Sequence, residues 1–191
     1  MRAASSLQAA IASATFPTLP LIRMNPDDAL RHLDAHYQAM PPVAAMRMRI
    51  AGYDGRHLRL HAPLAQHVND KGCAFGGSLV SLMTLACWGL ATLRLGEAGH
   101  TAEVFVQDSM VNYLEPVWGE IVVEARQLIG DSEWDEFIAM FTARGKARIT
   151  LTAEVTTAGG GIAARLSARF VALRGESASL PRPTDQEAYG A

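Results

Sequence analysis

Two adjacent glycines, Gly76 and Gly77, stand at the start of an apolar segment that the sequence predicts to be a helix over 78–95. The first N–H groups of a helix have no partner inside it and carry the positive end of its dipole. Because glycine lacks a Cβ atom, a ligand can approach this backbone closely. The pair therefore predicts a site that polarises a carbonyl oxygen, where one such donor contributes about 3 kcal/mol of transition-state stabilisation. The alternative is that the glycines only allow the helix to pack against a sheet.

Asn69 lies seven residues before Gly76, in the loop that leads to this helix. Its amide can hold a water molecule or donate to a ligand oxygen. The alternative is an Asx-turn, in which the amide binds the backbone of its own loop. Asp70, the next residue, is a second candidate, after Asp108, for a general acid or base, with a turn-forming role as its alternative.

Asp108 is the first candidate for the acid or base. It lies within an otherwise apolar predicted strand, and aspartate disfavours strands. Its carboxyl group is then either on a solvent-exposed face or in a polar pocket, where it can act on a substrate. By alternation, Asp108 is predicted to share a face with Val106, Met110 and Asn112, which makes Asn112 a candidate substrate contact. A surface or interface carboxylate is the alternative.

The elements that must position these residues follow from hydrophobic spacing. Asn25-Pro26-Asp27-Asp28 predicts a helix start, and Pro41-Pro42 predicts its stop. Alternating apolar residues predict a hairpin over 46–64 with its turn at Asp54-Gly55. One helix covered by a curved antiparallel sheet then gives an α+β single domain. The further strands are predicted at 103–115, 118–129, 147–156 and 162–173, with a short helix that opens at Ser132.

The segment 73–93 has 21 residues without a charged side chain, which is about the length of a membrane-spanning helix. It also contains glycines, serines and threonines, and amphipathic strands are predicted on both sides of it. We therefore expect a buried core helix and no membrane insertion.

Composition restricts the class of protein. The chain has 191 residues, 49% of them hydrophobic, and a net charge of −2, which gives no electrostatic reason to expect nucleic acid as a partner. The two cysteines, Cys73 and Cys87, form no CxxC pair, and a cytoplasmic location is expected. The six histidines and two cysteines show no metal-ligand spacing, so neither a metal nor another cofactor is expected.

The predicted domain is 24–174, with weakly patterned segments on either side. Residues 1–23 are rich in alanine and serine and are predicted to be a loosely ordered extension. A signal peptide, or a start at Met24, is the alternative. Residues 175–191 are predicted to be a flexible tail, because they are polar and contain proline.

The order of elements and the stretch Asn69-x5-Phe75-Gly76-Gly77 resemble the hot-dog thioesterase superfamily. Two further motifs are similar to one subgroup, the putative-thioesterase domain that follows an acetyltransferase domain in some bacteria. These two motifs are Val106-Gln-Asp108-Ser109-x3-Tyr113-Leu-x-Pro116-Val and Gly145-Lys-Ala-Arg148. The resemblance covers roughly residues 26–173.

The resemblance implies a hot-dog fold and hydrolysis of an acyl thioester, with acyl-CoA or acyl-carrier-protein as substrate and a homodimer or tetramer as the assembly. It implies that the Gly76 and Gly77 backbone and Asn69 hold the oxyanion, while Asp108 or Asp70 activates water. In the resembling family, the strand that corresponds to the one with Asp108 passes the substrate pocket and is contributed across the dimer.

Two positions depart from the pattern of that branch. Phe75 stands at the histidine position and Thr84 at the position of the helix acid. Phe75, Ser78 and Thr84 are therefore predicted to contact the substrate without acting as acid or base. Two other functions remain open at this stage: an acyl-thioester binding or sensing domain without catalysis, and hydratase or dehydratase chemistry in the same fold.

Overall fold

The computed structural model describes residues 21–127 and 132–175. The helices of this part are α1 (Pro26–Ala39), α2 (Pro41–Ala45), α3 (Gly76–Glu97) and α4 (Ser132–Arg144). The strands are β1 (Arg49–Tyr53), β2 (His57–Ala62), β3 (Glu103–Tyr113), β4 (Ile121–Gln127), β5 (Lys146–Thr156) and β6 (Ile162–Leu173).

The strands form one antiparallel sheet in the order β1-β2-β4-β5-β6-β3, so β1 and β3 are its edges. α3 packs against β2 to β6 on one face, which we call the inner face; the opposite face is the outer face. Alternation gives the inner face its apolar side chains, because successive strand residues point to opposite sides. Leu60, Val123 and Leu151 are examples, all fully buried. The predicted fold class, α+β with an antiparallel sheet around one long central helix, is confirmed.

α3 is long and apolar enough to span a bilayer by length and composition alone. However, 67% of its most apolar window is buried inside the protein. Its contacts with five strands are those of the central helix of a globular core.

Several boundaries differ from the predicted ones. α3 begins at Gly76, two residues earlier than predicted, so both glycines lie within its first turn. The predicted strand around Met46 begins only at Arg49, because Arg47 adopts a positive φ of 49° in a turn. Leu64 falls in a short 3-10 helix after β2. Pro41-Pro42 does separate two helices, since a proline at the first helical position of α2 needs no N–H partner.

The packed domain extends at least to Leu21, three residues before the predicted boundary at Met24. Leu21 is 3% exposed and lies against Gly96, while the Arg23 N–H donates to the Gly96 carbonyl oxygen at 3.3 Å. The rest of the predicted extension, and the predicted tail beyond Gly175, lie outside the described residues.

Candidate active site

The start of α3 has free hydrogen-bond donors. Phe75 is the N-cap residue, with φ −68° and ψ 130°, and its side chain caps nothing. The N–H groups of Ser78 and Leu79 donate to the Phe75 carbonyl oxygen at 3.0 and 3.1 Å. Within the described residues, the N–H groups of Gly76 and Gly77 have no acceptor. Two donors at the positive end of a 22-residue helix are therefore available to an anionic or carbonyl oxygen.

Two aromatic rings lie beside these donors. The Tyr113 hydroxyl donates to the Gly76 carbonyl oxygen at 3.1 Å, and a Cβ at Gly76 would lie 3.4 Å from the Tyr113 ring. The Phe75 ring folds over Gly77, where a Cβ would lie 2.3 Å from Phe75 Cε1. Both rings are 55% exposed. They form an aromatic wall beside the free N–H groups and still face solvent.

Tyr113 is a site residue that sequence reasoning did not single out. It belongs to the motif that carries the family resemblance, but its contact with Gly76 depends on which face of β3 it occupies. The periodicity of that strand is interrupted, so the contact could not be read from the sequence.

The loop 67–75 is a tight hairpin that leads the chain into α3. The Phe75 N–H donates to the His67 carbonyl oxygen at 2.6 Å, and the Asn69 N–H donates to the Cys73 carbonyl oxygen at 2.8 Å. His67 is 2% exposed, and its Nε2 lies 2.9 Å from the Met46 carbonyl oxygen. These bonds tie the loop to the chain before β1 and fix the direction in which α3 starts.

The amide of Asn69 is used by its own loop. Its Oδ1 accepts from the Lys71 N–H at 2.8 Å, the bond of an Asx-turn. Its Nδ2 donates to Cys73 Sγ at 3.2 Å and to the Ala74 carbonyl oxygen at 3.4 Å. In this arrangement Asn69 shapes the loop that positions Gly76 and is not itself directed at a ligand.

Asp108 does not lie beside the start of α3. A bulge between Val106 and Asp108 inserts Gln107 into β3, so that Val106 pairs with Phe170 but Asp108 pairs with Arg169. The expected shared face of Asp108 and Val106 is therefore wrong, because one inserted residue reverses the alternation. Asp108 lies on the outer face with Met110 and Asn112, and its Oδ2 is 3.7 Å from Arg169 Nη1.

The other predicted residues are distributed around α3 and the sheet. Asp70 is at the tip of the loop, where its 79% exposed side chain pairs with Lys71. Ser78 and Thr84 are half-buried on α3. Thr84 follows Gly77 by seven residues and therefore lies on the same side of the helix. Asn112 is exposed on the outer face and pairs with Arg165 of β6, away from the helix start.

The cysteines offer no activated nucleophile. Both are buried, and burial raises the pKa of the Cys87 thiol far above its usual value. In the part of the chain that the structure describes, no three His, Cys, Asp or Glu side chains cluster as metal ligands would. What the site offers is thus backbone N–H groups with an aromatic wall.

An antiparallel sheet around one central helix, with the helix start open near a sheet edge, defines the hot-dog class of proteins. The family model described as "Putative thioesterase (yiiD_Cterm)" matches residues 31–174, and the chain belongs to this family. The family resemblance seen in the sequence is thereby confirmed.

Solved structures are similar over most of the chain. A protein of unknown function from Chlorobaculum tepidum is 29% identical, with a TM-score of 0.73, over 78% of this chain and 96% of that one. A putative thioesterase from Shewanella oneidensis is 23% identical, with a TM-score of 0.66, over 77% and 99%. A probable thioesterase from Pseudomonas aeruginosa is 23% identical, with a TM-score of 0.64, over 78% and 96%. The last two support the hot-dog fold, and the family supports thioester hydrolysis in general terms.

Proposed function

We propose that the protein hydrolyses an acyl thioester, with acyl-CoA or acyl-carrier-protein as substrate. The observation that carries the proposal is the pair of unpartnered N–H groups at Gly76 and Gly77. They are fixed in direction by the helix, so they need no reorganisation when charge develops on the substrate oxygen.

In the proposed reaction, the thioester carbonyl oxygen accepts hydrogen bonds from Gly76 and Gly77. Water attacks the carbonyl carbon, and negative charge grows on the oxygen at the positive end of the helix dipole. A base accepts the proton of the attacking water. The carbonyl double bond then re-forms as the carbon–sulfur bond breaks, and that proton passes to the leaving sulfur, which gives the free acid and the thiol. The Phe75 and Tyr113 rings lie beside the donors, and a bound acyl chain that covers them would keep bulk water from these hydrogen bonds and so strengthen them.

The base of this reaction is a separate question. Asp108 is fixed in mid-strand on the outer face, whereas Tyr113 reaches Gly76 on the inner face. Asp70 is at the tip of an exposed loop that leads into the helix start. Of the two carboxylates proposed from the sequence, we favour Asp70, because its loop leads directly into the start of α3. Asp108, on the edge strand β3, would have to be supplied by a second copy of the chain.

A homodimer through β3 is part of the proposal. Among the described strands, β3 pairs only with β6, so its other edge is free, and it exposes Phe105, Val106 and Met110 at 49%, 48% and 68%. A free edge strand with apolar side chains favours pairing with another copy. Val106→Lys should shift the protein to the monomer in light scattering. An unchanged mass would contradict an interface at β3.

The test of the function is thiol release from short, medium and long acyl-CoAs and from an acyl-carrier-protein. Turnover that falls in Asp70→Asn and survives in Asp108→Asn would support the proposed base. If Asn69→Ala and Asp108→Ala together leave the rate unchanged, the site assignment made from the sequence fails. Product in the form of an enoyl or hydroxyacyl thioester would replace hydrolysis by lyase chemistry.

A second candidate function is acyl-thioester binding without hydrolysis. The observation that favours it is Phe75, whose ring occupies the N-cap position beside the free N–H groups and can neither donate nor accept a proton. Saturable binding of acyl-CoA with no thiol released above the uncatalysed rate would support this function and exclude the first.

Two further expectations belong to the same proposal. We propose a domain that extends from about residue 24, or from Leu21 as the packing of that residue requires, to residue 174. We also propose a cytoplasmic protein that is not inserted in a membrane. Fractionation of cells that produce the full chain would test the location.

A further inference from the structure

A groove lies between α4 and the first part of β5, well away from the start of α3. β4 pairs with β5 only as far as Leu151, so residues 146–150 continue beyond it with β6 as their only paired strand among those described. α4 lies alongside this overhang, and the groove between them has a volume of about 750 Å³. Along β6, five residues separate Arg169 at the groove from Ala164, the partner of Tyr113, or about 17 Å.

The groove combines an apolar floor with a basic rim. Phe137 and Ile149 are buried in its floor, and Met140 is 42% exposed beside them. The rim carries more cations than anions, although the whole chain has a net charge of −2. The cations are Arg144, Lys146, Arg148 and Arg169, and the anions are Glu133 and Glu136.

The cations of the rim are mostly not neutralised. Arg144 and Lys146 form no ion pair with any described residue. Arg148 Nε donates to the neutral amide oxygen of Gln107 at 3.0 Å, which orients the guanidinium and leaves its charge uncompensated. Arg169 is 3.7 Å from the Asp108 carboxylate, at the limit of an ion pair.

Other arginines of the outer face form ion pairs with glutamates of neighbouring strands. Arg165 Nε donates to Glu154 Oε1 at 2.7 Å, and Arg126 lies 3.5 Å from the same carboxylate. Arg59 Nε donates to Glu124 at 3.0 Å. These arginines are paired across strands, whereas Arg144, Lys146 and Arg148 at the groove have no carboxylate partner among the described residues.

We propose that this groove is a binding site for an adenine nucleotide, separate from the start of α3; nucleotide binding here does not require that the chain hydrolyse a thioester. Guanidinium and ammonium groups bind phosphate oxygens, and the exposed side chain of Met140, which lies beside the buried Phe137 and Ile149, offers an apolar contact to the base. The volume is that of a small-molecule site, whereas a protein partner needs about 800 Å² of surface on each side. Two sources of the nucleotide are possible: the adenosine end of coenzyme A, whose ribose carries a 3′-phosphate, or a free nucleotide.

Calorimetric titration of the full chain with adenosine 3′,5′-bisphosphate, ADP and pyrophosphate tests this site. We expect saturable binding of at least one of the two nucleotides, with a Kd below about 1 mM. Tighter binding of the bisphosphate identifies coenzyme A as the source, and tighter binding of ADP identifies a free nucleotide. Absence of saturable nucleotide binding, or pyrophosphate binding as tight as that of the nucleotides, would overturn the assignment.

The double variant Lys146→Gln/Arg148→Gln should weaken nucleotide binding by at least about tenfold, because it removes two charge-assisted contacts. Arg165→Gln is the control, since it removes one charge from the same face of the sheet outside the groove and should change the Kd less than about twofold. Met140→Glu, which leaves every cation in place, should also weaken binding. If Arg165→Gln weakens nucleotide binding equally, the binding is due to general electrostatic attraction, and the groove is not the nucleotide site. Because binding is measured directly, the result does not depend on thiol release.

Discussion

Two glycines of α3, Gly77 and Gly89, each lie against an aromatic side chain, but their surroundings differ. A Cβ at Gly77 would lie 2.3 Å from the ring of Phe75, which is 55% exposed. A Cβ at Gly89 would lie 2.1 Å from the Tyr37 hydroxyl oxygen, and Tyr37 is fully buried. The close approach is similar in both places, and only the solvent exposure separates them.

The difference follows from what covers each part of the helix. Around Gly89, α1 closes over α3, and the Tyr37 hydroxyl donates to the Leu85 carbonyl oxygen at 2.8 Å. Around Gly77, one wall is a side chain that can rotate into solvent, and the backbone donors beside it are free. The buried contact therefore serves packing, whereas the exposed one leaves room for a ligand. Four substitutions test this contrast.

Gly89→Ala should have the largest effect on stability. The added methyl group meets Tyr37 and also Leu58 Cδ2 at 2.7 Å, and neither can leave the core. Overpacking together with the loss of a buried hydrogen bond should lower the free energy of unfolding by about 3 kcal/mol, as measured by urea denaturation. In the control Gly89→Ala/Tyr37→Phe, part of that loss should return. A loss of stability below about 0.5 kcal/mol would mean that α1 does not pack tightly against α3 at Gly89.

Gly77→Ala should instead affect activity. The Phe75 ring can turn away, so we expect a change in unfolding free energy below about 1 kcal/mol. The methyl group and the displaced ring then occupy the approach to the free N–H groups, and kcat/KM for thiol release should fall at least about tenfold. Phe75→Ala separates the two causes, because it displaces the ring without a methyl group. Full activity in Gly77→Ala would show that the start of α3 is not part of the active site.

Tyr113→Phe should have a smaller effect. It removes the bond to the Gly76 carbonyl oxygen, and we expect about 0.5 kcal/mol of lost stability and a fall in kcat of roughly threefold. Tyr53→Phe is the matched control, since the Tyr53 hydroxyl donates to Glu97 at the far end of α3 at 2.7 Å. That variant should lose similar stability and keep its kcat. If Tyr113→Phe and Tyr53→Phe lose kcat equally, the loss in Tyr113→Phe is due to reduced stability alone.

Asp108→Asn should have the smallest effect on turnover, below about twofold, because the carboxylate is on the outer face and 58% exposed. Asp70→Asn, assayed in parallel, removes a carboxylate from the loop that precedes α3. A loss of tenfold or more in Asp108→Asn alone would restore the role that the strand pattern predicted, with Asp108 supplied by a second copy of the chain.

The sequence predicted the fold well where the pattern is regular. β5 and β6 alternate over most of their length, and their predicted ranges agree with the structure to within one residue. The unbroken apolar run of α3 likewise predicted a buried helix, because only a core can accommodate apolar residues on most sides.

The site was harder to predict, because it depends on one inserted residue in β3 and on the hydrogen bonds of single side chains. One inserted residue, Gln107, moved Asp108 to the other face of β3 and directed Tyr113 to the helix start. The use of the Asn69 amide by its own loop was foreseen only as an alternative. Composition and spacing do not report which donors remain unpaired, and that property distinguishes Gly76 and Gly77.

The most direct test of the central claim is an amide NMR titration with a substrate analogue. An acyl-CoA analogue with CH2 in place of the thioester sulfur keeps the carbonyl oxygen and cannot be hydrolysed. If that oxygen binds at the start of α3, the Gly76 and Gly77 amide protons should move downfield and saturate with the same Kd, with much smaller changes at Gly89. Saturable binding that leaves both amide signals unchanged would contradict the assignment of the helix start as the carbonyl site.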